Sequence, residues 1–280
     1  MSQHSPYRPY LGCVHRPVFA LLRILGLRAA SEKWMRISHA NPVWSLSGPL
    51  QNHRMIFGKK EEYQYLSSQY EKKVCEATFR FLNSGAVCAD VGAHIGFFTL
   101  LMAKIVGPAG KVYAFEAFPE NANLLQGNVK LNAYDERVVV ENKAVGAATS
   151  EEIVLYLGPS SFESSLILHQ GGESITVPGI SLGDYFSGFE KLDFIKMDIE
   201  GAESQAIPAM REQLNRLRPT ILLEIHRGAE SAVEELSTVG YRFVDLDFHP
   251  ITLSKIRTDE INHIVALPDA SSEMLSGGAH

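Results

Sequence analysis

The sequence predicts an α/β protein built on a Rossmann-like, mostly parallel sheet, and three observations predict it. From residue 71 onward, short apolar runs alternate with stretches of helical pattern. A turn that contains Gly92 and Gly96 joins one apolar run to a helical stretch. An acidic residue, Glu116, ends the next apolar run. Such alternation places helices on both faces of one sheet.

Each element follows from its own pattern. Apolar residues at helical spacing predict a helix over residues 71–82, and Asn83-Ser84-Gly85 ends it. Buried-strand patterns predict strands at residues 86–90, 111–115, 138–141, 192–197 and 220–225. Further helices are predicted at residues 96–106, 120–132, 203–214 and 229–238. An inserted antiparallel pair is predicted at 153–157 and 174–177, and two terminal strands at 241–246 and 263–267.

Composition limits the class of protein. A chain of 280 residues has room for one α/β core and a small N-terminal addition. The net charge of −6 provides no general attraction to nucleic acid or to an anionic membrane. The three cysteines show no C-x-x-C spacing, so we expect a reducing, cytoplasmic compartment.

One apolar segment, residues 18–27, raises the question of a membrane. It is shorter than the roughly 18 residues that a transmembrane helix needs, and it contains Arg23. One interpretation is a helix packed on the body of the protein. The other is a segment at a membrane surface, beside a lipid-linked substrate.

The turn from Asp90 to Gly96 has the features of a nucleotide-cofactor site. Its glycines let the backbone approach a ligand, and the N-terminus of the following helix offers unpaired N–H donors. Glu116, at the end of the next predicted strand, is placed to accept the ribose hydroxyls of an adenosine. The pattern therefore predicts a cofactor that carries adenosine.

The glycine spacing narrows the choice of cofactor. The motif is Gly92-x-x-x-Gly96, without the middle glycine of a dinucleotide-binding loop. The carboxylate of Asp90 suits a ligand with a positive group better than one with two phosphates. S-adenosylmethionine has an ammonium, a sulfonium and no phosphate, so it is favoured. A nicotinamide-dependent oxidoreductase remains the alternative.

A second acidic cluster follows the predicted strand 192–197. Asp198, Glu200 and Glu203 crowd one strand-to-helix turn, where ligands of open α/β sheets bind. Glu203 also has a purely structural interpretation, since the first turn of a helix favours negative charge. Clustered carboxylates raise one another's pKa, so the group is a candidate for a general base or for holding a divalent ion.

The next predicted strand ends in a further pair. Glu224 and His226 alternate and so point to the same side of the chain. A histidine suits proton transfer near neutral pH, although a surface role is equally open. Residues 161–165 form a serine-containing segment that is either a substrate-lining turn or a plain loop.

Four blocks in order, residues 90–98, 112–121, 193–203 and 218–226, resemble the FkbM family of S-adenosylmethionine-dependent methyltransferases. The resemblance covers roughly residues 70–230, including Ser164-Ser165-Leu166. It implies O-methylation of sugars, glycolipids or polyketide products, and a seven-stranded sheet whose last strand is antiparallel. One departure is His94, where the family usually has Asn; a titratable side chain there predicts pH-dependent cofactor affinity.

The resemblance also implies roles for individual residues. The methionine end of the cofactor would lie in a cradle of Asp90, Gly92, Ala93, His94 and Gly96. Glu116 would hold the ribose beside Ala117, and Asn142 and Ala144 would flank the adenine. The acceptor hydroxyl would be surrounded by Asp198, Glu200, Glu224 and His226. No metal ligand is assigned.

We therefore predict an S-adenosylmethionine-dependent O-methyltransferase (EC 2.1.1.-) acting on a sugar, glycolipid, polysaccharide or secondary metabolite. The alternatives are a nicotinamide-dependent oxidoreductase and a non-catalytic S-adenosylmethionine-binding domain. Residues 1–68 would form an N-terminal extension that covers the acceptor site, and 69–280 the methyltransferase domain. Expected partners are a small-molecule or glycan acceptor, a peripheral membrane or lipid-linked substrate, and a second copy of the chain, but no nucleic acid.

Overall fold

The computed structural model of the chain describes residues 42–45, 47–157, 173–226, 228–256 and 262–269. The apolar segment 18–27 and the serine-containing segment 161–165 lie outside these ranges. Within them, every helix is too short or too polar to span a lipid bilayer.

The helices and strands have the following bounds. The strands are β1 (Val43–Trp44), β2 (Arg54–Met55), β3 (Val87–Val91), β4 (Lys111–Phe115), β5 (Val138–Glu141), β6 (Ala144–Val145), β7 (Ser150–Tyr156), β8 (Ser174–Ile180), β9 (Phe194–Met197), β10 (Thr220–Glu224), β11 (Tyr241–Val244), β12 (Pro250–Ile251) and β13 (His263–Pro268). The helices are α1 (Lys72–Phe81), α2 (Phe97–Val106), α3 (Pro119–Leu131), α4 (Leu182–Tyr185), α5 (Glu203–Ala209), α6 (Arg211–Leu217), α7 (Glu230–Thr238) and α8 (Leu253–Ile256), and a 3-10 helix at Glu61–Leu66 precedes α1.

The main sheet confirms the predicted architecture. In the described chain its strand order is β12-β11-β13-β10-β9-β3-β4-β5. Strands β10, β9, β3, β4 and β5 are parallel, and the last strand, β13, is antiparallel to both of its neighbours, β10 and β11. The described sheet has eight strands where seven were predicted, because the two-residue strand β12 pairs with the edge of β11.

Two other expectations need correction. The helix predicted over 203–214 is two helices, α5 and α6, with Met210 between them. Pro208, near the end of α5, has no N–H to donate within the helix, and Met210 takes a non-helical backbone at the break (φ −107°, ψ +20°). The inserted pair β7–β8 is antiparallel as predicted, but β6 joins it to make a three-stranded sheet.

One face of the main sheet changes character along its strands. Its middle is apolar and belongs to the core cluster under α1 and α2, with Cys88, Phe194, Leu222 and Val265 on four adjacent strands. Side chains two residues further along each strand point to the same face. These are Asp90, Lys196 and Glu224, and His263 lies at the corresponding end of the antiparallel strand β13. A row of ionisable groups therefore sits at the ligand-binding end of an apolar face.

The described part of the N-terminal extension packs against the same face. Met55, Phe57 and Tyr65 are buried in the cluster that contains α2. Asn128 links helix α3 to the extension, since its side chain accepts a hydrogen bond from Ile56 N at 2.6 Å and donates one to Ile56 O at 3.1 Å. The extension thus forms part of the wall around the polar row.

Candidate cofactor and acceptor site

A cavity of about 310 Å³ lies at the carboxyl ends of β3, β4, β9 and β10. It brings together ten of the thirteen residues predicted for the site: Asp90, Gly92, Ala93, His94, Glu116, Ala117, Ala144, Asp198, Glu200 and Glu224. The other three predicted residues, Gly96, Asn142 and His226, do not line it. We refer to the part lined by Asp90 and Glu116 as the cofactor half, and to the part lined by Asp198, Glu200 and Glu224 as the acceptor half.

The turn after β3 is where the two halves touch. Gly92 has a φ of +82°, and a Cβ there would overlap the carbonyl oxygen of Asp198. The backbone N–H groups of Gly92 and Ala93 both donate to Phe115 O, at 3.0 and 2.9 Å. His94 also lies in the left-handed region, with φ +49°. Asn and His are both enriched in that conformation, so the backbone at this position accommodates the departure from the family pattern.

Asp90 is completely buried in the cofactor half. Its Oδ2 accepts a hydrogen bond from the Thr99 hydroxyl at 2.6 Å, whereas Oδ1 has no hydrogen-bond partner among the described residues. Burial raises the pKa of this carboxyl, and the nearby ammonium of Lys196 opposes the rise. The cavity wall therefore presents a buried acceptor that is ready for a cationic or hydrogen-bond-donating ligand.

Glu116 is held by the turns after β3 and β4. Its carboxylate accepts from His94 N at 2.8 Å, from Phe118 N at 3.0 Å and from Asn121 Nδ2 at 3.5 Å. Burial raises its pKa to about 7, against the lowering effect of these hydrogen bonds. The backbone thus fixes the carboxylate predicted to bind the ribose.

Gly96 and Asn142 do not line the cavity but lie just outside the cofactor half, and their roles toward the cofactor stay predictions. Gly96 has a φ of +98°, in the left-handed region that favours glycine, and a Cβ there would come within 2.5 Å of Leu125 Cδ1, the flexible end of a side chain on α3. The Asn142 side chain donates to the carbonyl oxygens of Glu116 at 2.8 Å and Ala117 at 3.1 Å. It therefore braces the turn after β4 and does not face the cavity.

Three half-exposed carboxylates form the acceptor half. The Asp198 and Glu224 side chains are each 30% exposed and that of Glu200 is 27% exposed. Burial would raise the pKa of Asp198, but the Lys196 ammonium, the His226 ring and the hydrogen bonds from Lys196 and Glu224 together lower that pKa below its usual value. Burial raises the pKa of Glu200 to about 7, assisted by the neighbouring carboxylates. Glu200 therefore has the titration range that a general base needs.

His226 lies behind these carboxylates, not at the cavity wall. Its Nδ1 is 3.0 Å from Glu203 Oε1, and its Nε2 is 3.5 Å from Glu200 and 3.8 Å from Asp198. Although burial lowers its pKa, the hydrogen bond and charge of Glu203 and the other carboxylates raise it to about 9. The ring is charged at neutral pH and compensates the carboxylates around it, while its predicted role beside the acceptor hydroxyl stays a prediction.

Glu203 anchors this arrangement from the start of α5. It is fully buried, and its Oε1 accepts from Ile199 N at 2.9 Å as well as contacting His226. The purely structural interpretation of Glu203 therefore fits its position. Its carboxylate fixes the turn through Ile199 N and positions the His226 ring.

Several wall residues were not predicted from the sequence. Lys196 is 7% exposed on β9, and a lysine inside an apolar run was the signal available. Glu71, immediately before α1, has a left-handed backbone (φ +41°) and lies at the cavity wall with Tyr65 and Tyr70. His263 reaches the cavity from β13, with its Nε2 3.2 Å from Glu224 Oε2. Nothing in the pattern of the extension indicated which of its residues reach the site.

The expectation of a divalent ion can be tested against this geometry. Donor atoms of Asp198, Glu224 and His226 lie within 4.8 Å of one another. However, Lys196 already lies 3.2 Å from Asp198, His263 lies 3.2 Å from Glu224, and the His226 ring is charged. Because the Lys196 ammonium and the charged His226 ring compensate these carboxylates, we assign no metal to them.

The last strand, β13, is antiparallel and lies between the mutually parallel strands β10 and β11. This strand order, together with the Asp90–Gly96 turn, defines a Rossmann-like methyltransferase fold. The sequence profile of the Methyltransferase FkbM domain matches residues 90–249, which is more than half of the chain. The chain belongs to this family of methyltransferases.

Three solved structures illustrate the similarity. Methyltransferase FkbM from Methylobacillus flagellatus KT is 17% identical, with a TM-score of 0.46, over 66% of this chain and 44% of that one. Fibrillarin from Aeropyrum pernix, with natively bound S-adenosylmethionine, is 12% identical (TM-score 0.40; 66% and 67% covered). An S-adenosylmethionine-dependent O-methyltransferase from Thermotoga maritima is 14% identical (TM-score 0.40; 71% and 64% covered). The present chain thus spans less than half the length of the Methylobacillus protein.

Proposed function

We propose that this methyltransferase uses S-adenosylmethionine to methylate a hydroxyl group of a sugar, glycolipid, polysaccharide or secondary metabolite. The observation that carries the proposal is the pairing of two different carboxylate sites in one cavity. Asp90 and Glu116 are buried acceptors at adjacent strand ends, and Glu200, with its pKa of about 7, faces the same space. The first pair suits a cationic nucleoside, and the last suits an acceptor hydroxyl.

The cofactor half fits S-adenosylmethionine by the chemistry of its donors and acceptors. Asp90 offers a buried oxygen without a partner among the described residues, which favours the ammonium or sulfonium end. Glu116 offers carboxylate oxygens to the ribose hydroxyls. A dinucleotide would bring its phosphates toward the Asp90 carboxylate, so repulsion disfavours the oxidoreductase alternative.

When bound, S-adenosylmethionine supplies a methyl group that is already activated by its sulfonium. The residues of the chain orient the acceptor, take up its proton and compensate the remaining charges. The acceptor half orients the hydroxyl toward that group, and Glu200 takes the hydroxyl proton as the carbon–oxygen bond forms and the carbon–sulfur bond breaks. Lys196 and His226 keep the remaining carboxylates compensated.

The proposal extends to the surroundings of the enzyme. A cavity mouth lined by carboxylates repels phosphates, which supports a neutral glycan or small-molecule acceptor over nucleic acid. Cys75 and Cys88 are free and buried, in keeping with the proposed cytoplasmic location. Contact with a lipid-linked substrate and self-association remain predictions from the sequence.

Calorimetry with S-adenosylmethionine, S-adenosylhomocysteine and NAD tests the cofactor. We expect binding of the first two and none of the third. Transfer of a tritiated methyl group to glycan and lipid extracts of the host then tests the reaction. We expect Glu200→Gln to retain cofactor binding and to lose at least about tenfold in transfer rate, whereas Glu212→Gln, an exposed carboxylate on α6, is unchanged.

Each outcome separates the alternatives. Binding of NAD alone would establish the oxidoreductase. Binding of S-adenosylmethionine without transfer to any extract fraction would favour the non-catalytic domain.

A further inference from the structure

Lys196 is the cavity residue whose position needs a separate explanation. It lies on β9 between apolar neighbours and is only 7% exposed. An isolated ammonium is costly to bury, so this position requires compensating charge. Its Nζ lies 3.2 Å from Asp198 Oδ2 and 5.1 Å from the centre of the Phe98 ring.

The compensating charge comes from both halves of the cavity. Asp90, the register partner of Lys196 on β3, belongs to the cofactor half, and Asp198 and Glu224 belong to the acceptor half. Other ionisable groups surround these carboxylates from the remaining elements. They are Tyr65, Tyr70 and Glu71 ahead of α1, Cys88 on β3, Glu116 after β4, Glu200 after β9, His226 after β10, and His263 on β13.

The ammonium is also only partly used by the protein. It has three N–H donors, and among the described residues it makes one hydrogen bond, to Asp198. The remaining interactions are the ring of Phe98 and the through-space attraction of Asp90 and Glu224. The Lys196 ammonium therefore attracts carboxylates in both halves of the cavity.

We propose that Lys196 is a positioning residue that keeps Asp90 and Asp198 ionised at the same time and so couples the charge of the cofactor half to that of the acceptor half. The assignment of those halves rests on the proposed function, but the ionisation of the two carboxylates can be measured without turnover. In both carboxyls, burial raises the pKa, and Lys196 is the leading influence that lowers it. Loss of its charge would therefore favour protonation of both.

The first test is an NMR titration of the free protein with ¹³C-labelled aspartate carboxyls, assigned through Asp198→Asn and Asp90→Asn. In Lys196→Met we expect the midpoint of Asp198 to move to higher pH, and in Lys196→Arg, which keeps the charge, to stay in place. Lys191→Met is the matched control, because Lys191 lies 3.2 Å from Asp193 Oδ2 but is exposed. If Lys196→Met does not fold, Lys196→Gln replaces it with the same expectation. An Asp198 curve that does not move would overturn the proposal.

The second test connects the charge to the ligand. For each pH we divide the S-adenosylmethionine Kd of Lys196→Met by that of the unsubstituted protein. We expect this ratio to be about tenfold larger at pH 6 than at pH 8, because Asp90 takes up its proton at a higher pH in the variant. Tighter binding by Lys196→Met at both pH values would mean that the lysine merely repels a cationic ligand, and would overturn the proposal. If the unsubstituted protein does not bind S-adenosylmethionine, the proposed function fails, while the NMR result still decides the role of Lys196.

Discussion

The cofactor and acceptor halves of the cavity stabilise their carboxylates in different ways. In the cofactor half, Asp90 is 0% and Glu116 is 8% exposed. Their protein hydrogen bonds come from groups that do not titrate: the Thr99 hydroxyl, the Asn121 amide, and two backbone N–H groups. This half is therefore organised by the fold itself.

In the acceptor half, the carboxylates are compensated mainly by ionisable side chains. Lys196 and His226 approach Asp198, and His263 approaches Glu224. His226, with a pKa of about 9, is charged at neutral pH, and Glu200, with a pKa of about 7, changes its charge close to it. The comparison teaches that changes in the cofactor half should act chiefly through fixed hydrogen bonds, and so on folding and affinity, whereas changes in the acceptor half should act chiefly through the charges of neighbouring side chains.

The largest effect is expected where the two halves meet. Gly92→Ala would place a methyl group on the Asp198 carbonyl oxygen while the backbone holds a positive φ. Neither loop can yield without breaking hydrogen bonds, so we expect the free energy of unfolding to fall by about 3 kcal/mol or more. Urea denaturation measures it.

Gly127→Ala is the control for this substitution. Gly127 lies inside α3 with open space around the position of a Cβ, so alanine there should be neutral or should stabilise by about 0.5–1 kcal/mol. Equal stability of the two variants would contradict the close contact between the loops.

The next largest effect concerns the charge of His226. Its pKa in the folded protein is about 9, above the usual 6.5, so its charged form stabilises the fold fully below pH 6.5 and this contribution disappears as the pH rises through 9. We expect the stability difference between the unsubstituted protein and His226→Gln to shrink by about 3 kcal/mol between pH 6 and pH 10. His249→Gln, which removes an exposed histidine whose Nδ1 lies 3.6 Å from Asp245 Oδ2, is the control variant. A constant difference for His226→Gln would remove the charge-compensating role.

Much of the cofactor half follows from the sequence alone. Strands β4 and β5 have the predicted bounds, because turn-forming residues flank their apolar runs. Asp90, Glu116 and Asp198 come directly after or at the end of such runs, and carboxyl ends of parallel strands meet at one edge. Local patterns therefore locate these carboxylates without any knowledge of distant contacts.

The acceptor half was less predictable because its properties depend on contacts between distant segments. The sequence shows that Lys196 is unusual in its strand, but not that Asp90 and Asp198 flank it. The high pKa of His226 arises from Glu203, 23 residues away. Glu71 and Tyr70 precede a helix whose pattern indicates packing, not a cavity wall. For Gly96 and Asn142 the sequence suggests a place at the cofactor, but neither residue lines the cavity. Gly96 adopts a positive φ at the start of α2, and the Asn142 side chain holds the turn after β4.

A smaller effect is expected from Glu116, the carboxylate proposed to bind the ribose. Glu116→Gln leaves one carbonyl oxygen for the N–H groups of His94 and Phe118 and would remove the proposed charge-assisted bond to a ribose hydroxyl. We expect the S-adenosylmethionine affinity to fall by about 10- to 100-fold, which corresponds to a hydrogen bond of about 1.5–3 kcal/mol.

The pH dependence of the same variant sharpens the comparison between the halves. In the unsubstituted protein, affinity should rise with pH up to about 7 as Glu116 loses its proton, with proton release visible by calorimetry in buffers of different ionisation enthalpy. This limb should be missing in Glu116→Gln. If it persists there, the titration belongs to another group and the cofactor half is less rigidly organised than the backbone contacts indicate.

The smallest effect lies at the mouth of the acceptor half. Glu71 is the N-cap of α1, its side chain makes no capping bond, and its backbone is left-handed. Asparagine tolerates that conformation and caps helices well, so Glu71→Asn should raise the free energy of unfolding by about 0.5–1 kcal/mol. If the glutamate is kept for the acceptor and not for the fold, the more stable variant should transfer methyl groups more slowly at equal cofactor affinity. A variant that is both more stable and fully active would exclude Glu71 from acceptor binding and confine that role to the carboxylates after β9 and β10.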